Sequence, residues 1–291
     1  MNELNTLKLG RIKIYMNLLT ASEFEEFEAG EVELIQTGCS VINTTVGGLM
    51  GGGIHLVAGA TGSGKSMFLL HSAIQMAKAN PNKTVFYISF ENDPRIDKSR
   101  FAKALNTYYI ESSTIDNLCF VLGASECDDM FKKSSKPIVA LAKKKTTATL
   151  SDLFDTELGK DNIFFIDGAE YQMSSAKEGS ELFEQGQKLM AMMSKCALKN
   201  NACIVCSWQL VRGTNDKKIE KLSCDDISMS IAVARIATTI WAIKKTSDAW
   251  QIINIKSRQE VLEEPRPFSL YDRNHNFTVK CQTPPFSKKN N

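Results

Sequence analysis

Eight consecutive residues have the types and spacing of a phosphate-binding loop. The segment GATGSGKS fits the pattern G-x-x-x-x-G-K-S/T at every position. In such a loop, glycines let backbone N–H groups wrap a phosphate, Lys65 reaches the β- and γ-phosphates, and the Ser66 hydroxyl ligates Mg²⁺. The sequence therefore predicts a site for ATP with Mg²⁺. The residues predicted to bind the nucleotide are Gly59, Ala60, Thr61, Gly62, Ser63, Gly64, Lys65 and Ser66.

Two acidic residues, each at the end of an apolar run, would complete an ATP-hydrolysing site. Asp167 ends the run Ile163–Asp167, and its carboxylate is predicted to hold the Mg²⁺ shell through water. Glu91 ends the run Val85–Glu91 and is the predicted base that orients and deprotonates the attacking water. Acids also follow strands as helix caps or turn residues, and this alternative stays open for both positions.

The segments around these residues must position them. Ile54–Ala58 is apolar and partly β-branched, which predicts a buried strand, whereas Met67–Lys78 is apolar at helical spacing. From residue 37 onward, strand, turn and helix signals alternate, which predicts an α/β fold with a mostly parallel sheet covered by helices on both faces. Acids that end parallel strands then share one sheet edge, where ligands bind. The predicted strands are 54–58, 84–90, 118–122, 162–166, 202–207, 238–244, 250–256, 267–271 and 277–280.

Composition limits the classes of function. The 291 residues carry a net charge of +2, so a nucleic-acid site would have to be local. The sequence has no apolar run of transmembrane length and no signal-peptide core, so we expect a cytoplasmic protein with no membrane partner. Eight cysteines without paired spacing suit a reducing compartment. The C-x-x-C of Cys203 and Cys206 lies in a strand-like run, which favours core residues over redox or metal chemistry.

The order of motifs resembles the RecA-fold motors and, among them, the hexameric replicative helicases of the DnaB type, which include phage-encoded versions. The resemblance covers residues 37–271. It rests on Thr37-Gly38-Cys39 and Gly47-Gly48-Leu49 before the phosphate loop, and on the segments 86–91, 165–167, 207–212 and 254–258. It implies a RecA-like P-loop NTPase fold and an ATPase that acts as a DNA helicase.

The resemblance also implies roles for three residues. Gln209 lies in a segment similar to the family's S-Q-L-x-R, with Trp208 inserted, and would contact the γ-phosphate and sense DNA. Lys256 and Arg258 resemble the K-x-R element, whose lysine and arginine reach the nucleotide of the neighbouring subunit. Two cations that alternate on one face of a strand end agree with this role, because a guanidinium suits the charge of a γ-phosphate. A surface strand with two solvated bases is the alternative.

Three parts are predicted along the chain. Residues 1–36 form an N-terminal arm or linker, with a helix-capping signature at Ser22–Glu25. Residues 37–282 form the RecA-like ATPase motor domain. Residues 283–291, with two prolines and two lysines, form a disordered tail.

Two loops of the motor domain are predicted to face single-stranded DNA. Residues 174–186 follow Asp167 and are rich in Ser and Gly, and residues 211–226 follow Gln209 and are rich in lysine. Such loops bind phosphates without reading sequence, although a solvated surface role is the alternative for each lysine. The predicted nucleic-acid contacts are Arg212, Lys217, Lys218 and Lys221.

The leading hypothesis is an ATP-driven ring motor on single-stranded DNA, a homohexameric helicase with a primase or loader protein as partner. Residues Ser228–Arg235 depart from the family because they lack its glutamine, which leaves the pattern of pore contacts open. One alternative is a recombination, repair or clock-type RecA-fold ATPase without unwinding activity. Another is a regulatory or loader module that binds ATP without moving nucleic acid, which an ATPase indifferent to single-stranded DNA would favour.

Overall fold

A computed structural model of the chain describes residues 6–9, 12–15, 33–122, 160–170, 180–211, 213–228, 231–245, 250–262, 268–272 and 277–278. The chain divides into two compact units, Met1–Glu33 and Leu34–Asn291. The larger unit thus begins three residues before the predicted start of the motor domain at residue 37. The predicted capping signature at Ser22–Glu25 and the tail 283–291 lie outside the described residues.

The smaller unit contains a hairpin that the sequence analysis did not predict. Strands β1 (Thr6–Leu9) and β2 (Ile12–Tyr15) pair antiparallel, with Leu9 opposite Ile12. Apolar residues flank Lys8 in one strand and Lys13 in the other, and this alternation of apolar and polar residues is typical of a β-strand.

The larger unit is built on a sheet whose strands agree with the predicted ones to within two residues at each end. Among the described residues, nine strands form it in the order β13-β12-β11-β10-β5-β9-β8-β6-β7. The strands from β10 to β7 in this order are parallel, and β11, β12 and β13 extend the β10 edge as antiparallel strands. A separate pair joins β3 to β4. In chain order the strands are β3 (Leu34–Ile35), β4 (Leu49–Met50), β5 (Ile54–Gly59), β6 (Val85–Ser89), β7 (Leu118–Leu122), β8 (Ile163–Asp167), β9 (Cys203–Gln209), β10 (Thr239–Lys245), β11 (Trp250–Ser257), β12 (Phe268–Asp272) and β13 (Phe277–Thr278).

Helices cover both faces of this sheet, as predicted. In the described residues they are α1 (Ser40–Val46), α2 (Lys65–Ala79), α3 (Pro94–Tyr108), α4 (Ser180–Asn200) and α5 (Ile231–Ile236). Helices α4 and α5 bury Met190, Met193 and Val233 against one face. Helix α2 buries Leu69 and Ile74 against the other face, together with α1 and α3. Because the parallel strands are buried on both faces, their sequences are continuous apolar runs. Among the described residues, no helix combines the length and apolar character required to cross a membrane.

The prediction that residues 174–186 form a DNA-binding loop is partly wrong. From Ser180 onward its residues belong to α4, while residues 171–179 lie outside the described part of the chain. Gly186, Leu189, Met190 and Met193 are buried at spacings of three and four residues, so the helical stripe runs through the glycine. The Ser and Gly content that suggested a loop was outweighed by this amphipathic pattern.

The strand register brings the predicted functional residues to one edge of the sheet. Strand β5 pairs with β9 so that Gly59 lies opposite Gln209. Strand β6 pairs with β8 so that Ser89, two residues before Glu91, lies opposite Asp167. These pairs are at the carboxyl ends of parallel strands, as the prediction of a shared ligand site requires.

The C-x-x-C segment is part of the buried strand β9, as predicted. Cys203 and Cys206 are both fully buried, and they belong to the cores on opposite faces of the sheet. Residues three apart in a strand point to opposite faces, so the two thiols face away from each other.

Candidate functional site

The phosphate loop connects β5 to α2 in the backbone conformation that its glycines allow. Gly62 and Gly64 have φ angles of 75° and 92°, in the left-handed region that favours glycine. At Gly59 a Cβ atom would lie 2.3 Å from Ser63 Oγ, so a larger residue would prevent the loop from closing on itself. The Ser63 hydroxyl is buried, and no hydrogen-bond partner for it occurs among the described residues. A narrow loop with a buried, unpaired donor fits a bound phosphate.

Lys65 holds its charge inside this loop. The side chain is buried, and its Nζ donates hydrogen bonds to the carbonyls of Gly59 at 2.9 Å and Ala60 at 3.0 Å. Burial lowers the pKa of Lys65, and the negative charges of Glu91, Glu170 and Asp167 oppose this shift. The first described helical residue after the loop thus presents a cation at the position where a phosphate would lie.

Asp167 is the most rigidly held carboxylate of the site. It is fully buried at the end of β8, and its Oδ1 accepts from Ser207 Oγ at 2.9 Å. Its Oδ2 accepts from Asn92 Nδ2 at 3.1 Å and from the Tyr87 hydroxyl at 3.4 Å. Burial raises the pKa of Tyr87 well above its usual range, so this phenol remains a donor. Three donors, from β6, from β9 and from the chain after β6, therefore fix the orientation of the carboxylate.

Glu91 lies beside Asp167 with its side chain more exposed. Partial burial raises the pKa of Glu91, the charge of Asp167 raises it further, and Lys65 lowers it. Two residues later Asp93 caps α3, because its side chain accepts from the backbone N–H of Arg95 at 2.8 Å. This cap fixes the direction of the chain after β6. Glu91 is thereby a carboxylate next to the phosphate loop with a pKa shifted toward that of a working base.

Gln209 also reaches the phosphate loop. Its Oε1 accepts from Thr61 Oγ1 at 3.3 Å, which joins the end of β9 to the middle of the loop. A cavity of about 180 Å³ opens beside this contact. Its walls are the phosphate loop, the chain after Gln209 with Leu210 and Thr214, and the end of β10 with Lys244.

The geometry of the site tests whether the predicted ligands of Mg²⁺ lie close enough together to share one ion. Ser66 and Asp167 are the predicted ligands, and the Tyr87 hydroxyl lies 3.5 Å from the Ser66 carbonyl and 3.4 Å from Asp167 Oδ2. The two residues therefore border the same small space. Across the described residues no group of three His, Cys, Asp or Glu side chains could hold a metal ion unaided. One carboxylate and one hydroxyl supplemented by phosphate oxygens are a donor set that suits Mg²⁺.

The second loop, residues 211–226, is described except for Arg212, so the predicted contact of Arg212 lies outside the described residues. Three short 3₁₀ turns follow one another in the loop, at 214–216, 219–221 and 224–226. Lys217, Lys218 and Lys221 are all exposed, and Lys217 Nζ also lies 2.5 Å from Oδ1 of the buried Asp226. Lys217 thus has an intramolecular partner, and Lys218 and Lys221 have the accessibility that a phosphate contact requires.

Lys256 and Arg258 bind the carboxyl end of helix α5. Lys256 Nζ donates to the Ala237 carbonyl at 2.6 Å, to the Arg235 carbonyl at 3.3 Å and to that of Ala234. Arg258 Nη2 donates to the same Arg235 carbonyl. Partial burial lowers the pKa of Lys256, and the charge of Arg258 adds to this effect. Both cations thus reach the same carbonyl, and cations suit the negative end of a helix.

The comparisons with known proteins agree on the kind of domain. Residues 20–153, which are under half of the chain, match an AAA domain family. The solved structure of an ATPase domain superposes with a TM-score of 0.60 at 15% identity, over 89% of this chain and 95% of that one. The chain has a RecA-like P-loop ATPase fold. A second solved structure, of a DnaB-like replicative helicase and its interactions with primase, superposes with a TM-score of 0.59 at 16% identity, over 88% of this chain and 65% of that one. A search of curated protein sequences found no match.

Within this RecA-like domain, one carboxylate near the phosphate loop was missed by the sequence analysis. Glu170 follows β8 three residues after Asp167, and its Oε1 accepts from the backbone N–H of Gln209 at 2.5 Å and from Ser228 Oγ at 3.2 Å. Burial raises the pKa of Glu170, the hydrogen bonds from Gln209 and Ser228 oppose this shift, and so does the charge of Lys65. The position of Glu170, a second acid just beyond the end of the strand that carries Asp167, is the sequence feature that could have identified this residue.

Proposed function

We propose that this chain is an ATP-hydrolysing ring motor that acts on single-stranded DNA, a replicative helicase of the DnaB-like type. The observation that carries the proposal is that the phosphate loop, Asp167 and Glu91 meet at one sheet edge, beside a loop with exposed lysines. The AAA domain match and the likeness to the two solved structures support it.

The residues of the site have complementary parts in this chemistry. The backbone of the phosphate loop and Lys65 bind the β- and γ-phosphates. Glu91 orients the attacking water and accepts its proton, while Gln209 contacts the γ-phosphate. Mg²⁺, when bound with ATP by Ser66 and the water shell of Asp167, neutralises phosphate charge. Asp167 suits this task because its three hydrogen bonds keep the carboxylate in one orientation.

The proposal includes a homo-oligomeric ring, a hexamer, in which Lys256 and Arg258 serve the nucleotide of the neighbouring subunit. In the single chain both cations bind carbonyls of α5. A carbonyl carries only partial charge, so a γ-phosphate in the transition state is a stronger partner for a guanidinium. Such a contact in trans makes hydrolysis depend on assembly.

The nucleic-acid contacts and partners are the finer part of the proposal. Lys218 and Lys221 are exposed on the second loop and would bind phosphates of single-stranded DNA without reading sequence. Arg212 and Lys217 are predicted contacts of the same loop. A primase or a loader protein is the proposed protein partner, and the similar DnaB-like helicase, which was solved for its interactions with primase, supports the first of these.

ATP turnover measured with and without single-stranded DNA, with particle size determined in the same samples, tests the proposal. We expect turnover to rise with single-stranded DNA and to be confined to the multimeric fraction. A Lys65→Ala preparation controls for contaminating ATPases. Turnover that is indifferent to single-stranded DNA at every particle size would contradict the motor function and favour a regulatory ATPase.

A further inference from the structure

Glu170 connects two parts of the site that are remote in sequence. Its Oε1 accepts one hydrogen bond from the backbone N–H of Gln209, at 2.5 Å, and another from Ser228 Oγ, at 3.2 Å. Gln209 lies two residues before the second loop, and Ser228 lies two residues after it. A single carboxylate oxygen therefore binds both ends of the loop.

The base of the second loop is closed by backbone contacts around this carboxylate. The Ser228 N–H donates to the Gln209 carbonyl at 2.9 Å, and the Val211 N–H donates to the Asp226 carbonyl at 2.8 Å. Trp208 Nε1 donates to the Ser228 carbonyl at 3.0 Å. Since hydrogen bonds to an ionised acceptor are stronger than those between neutral groups, the Glu170 carboxylate stabilises this closure more than any neutral acceptor would.

The same carboxylate lies in the electrostatic field of the nucleotide site. The charges of Lys65 and Glu91 both act on Glu170, with opposite signs. The Thr61 contact of Gln209 joins the base of the loop directly to the phosphate loop. Phosphate groups bound at Lys65 would bring negative charge toward Glu170 and engage the cation that favours its ionised form.

We infer that Glu170 is a positioning residue that holds the base of the second loop closed, and that negative charge bound in the phosphate loop loosens this closure. Nucleotide binding thereby makes residues 209–228, which include the exposed lysines, less ordered. The inference rests on the nucleotide binding in the proposed function. It does not rest on the action on single-stranded DNA, so the two can fail separately.

Hydrogen exchange of the full chain tests the inference, with and without adenosine 5′-O-(3-thiotriphosphate) and Mg²⁺. In the parent, we expect the nucleotide to speed exchange in peptides from 209–228. Glu170→Ala removes the acceptor, so these peptides should exchange about tenfold faster even without nucleotide, with no further response to it. Glu170→Gln keeps an acceptor oxygen without the charge, so exchange should be faster than in the parent but slower than in Glu170→Ala, and it should not respond to nucleotide.

Glu220→Gln is the matched control, because Glu220 is an exposed acid of the same loop and should behave like the parent. Peptides of β6 should exchange alike in all variants, which separates a local effect from lost stability. Two results would overturn the inference: parent peptides from 209–228 that ignore bound nucleotide, or a Glu170→Ala protein that exchanges like the parent. If the parent responds to nucleotide but its ATPase ignores single-stranded DNA, the motor function fails and the role of Glu170 stands.

Discussion

The phosphate-loop edge of the sheet and the opposite edge, where β11 ends beside the start of β10, differ in what their cations bind. At the first edge, Lys65 is buried among loop carbonyls, and three carboxylates act on its pKa. At the second, Lys256 and Arg258 bind carbonyls at the end of α5. The first edge therefore holds a cation, the proposed base Glu91 and an anchored carboxylate within one chain. The second holds cations whose present partners are only partially charged, and we propose that an anion supplied by another subunit replaces these partners.

The largest expected effect comes from removing Glu91, the proposed base at the phosphate-loop edge. Glu91→Gln should slow ATP hydrolysis by about a hundredfold to ten-thousandfold while nucleotide binding persists, because general base catalysis contributes that much to rate. Single-turnover kinetics and a binding titration on the same protein measure the two effects. A larger loss of rate in Glu170→Gln than in Glu91→Gln would instead identify Glu170 as the base.

Removing the buried cation should act on binding. Lys65→Ala deletes the charge that we propose contacts the β- and γ-phosphates, and we expect nucleotide affinity to fall by about a hundredfold, as the loss of charge-assisted hydrogen bonds predicts. Titration with a fluorescent ATP analogue measures this loss. Lys78→Ala, an exposed lysine on the same helix, is the control and should bind like the parent. Unchanged nucleotide affinity in Lys65→Ala would show that Lys65 of the phosphate loop does not contribute to nucleotide binding.

The second loop offers a comparison between lysines with different partners. Changing Lys218 and Lys221 together to Ala should weaken single-strand binding and reduce the slope of log affinity against log salt by about 1.4, at roughly 0.7 for each phosphate contact. Lys217→Ala should mainly lower the free energy of unfolding, by about 1–3 kcal/mol, because it leaves the buried carboxylate of Asp226 without its cation. An unchanged salt slope in the double variant would show that Lys218 and Lys221 are solvated surface residues that do not contact DNA phosphates.

The pH dependence of turnover should show the environment of Glu91. A base must be ionised to accept a proton, and partial burial raises the pKa of Glu91 above its ordinary value of 4.5. As the pH falls, protonation therefore removes activity at a higher pH than for an ordinary glutamate. The acid limb of kcat/KM for ATP should have its midpoint above pH 4.5, with nucleotide binding checked at each pH. A midpoint at or below the ordinary value would mean that Glu91 is not the group that titrates.

The features that were predictable from the sequence are local in the chain. The phosphate loop is one octapeptide, and each buried strand is one apolar run, so their positions follow without knowledge of the fold. Asp167 and Glu91 were identified for the same reason, since each ends such a run. Parallel pairing then places both at one edge.

The features that were missed depend on contacts between distant segments. Glu170 acts through the backbone N–H of Gln209, and that contact exists only because β8 and β9 are neighbours in this register. Likewise Lys217 meets Asp226 only when the second loop folds into its three turns. The sequence predicted the shared face of Lys256 and Arg258 but could not predict that α5 ends beneath it.

The difference between the two edges can be tested most directly by mixing subunits. Arg258→Ala chains should bind ATP but hydrolyse it slowly, because the guanidinium stabilises charge that develops in the transition state of the neighbour's reaction. Lys65→Ala chains should fail to bind. Mixed assemblies contain interfaces with an intact phosphate loop on one side and an intact Arg258 on the other, so part of the ATPase activity should return. Fluorescence transfer between labelled subunits confirms that mixing occurred. Confirmed mixing without any return of activity, together with lost ATP affinity in Arg258→Ala alone, would show that Arg258 serves its own nucleotide.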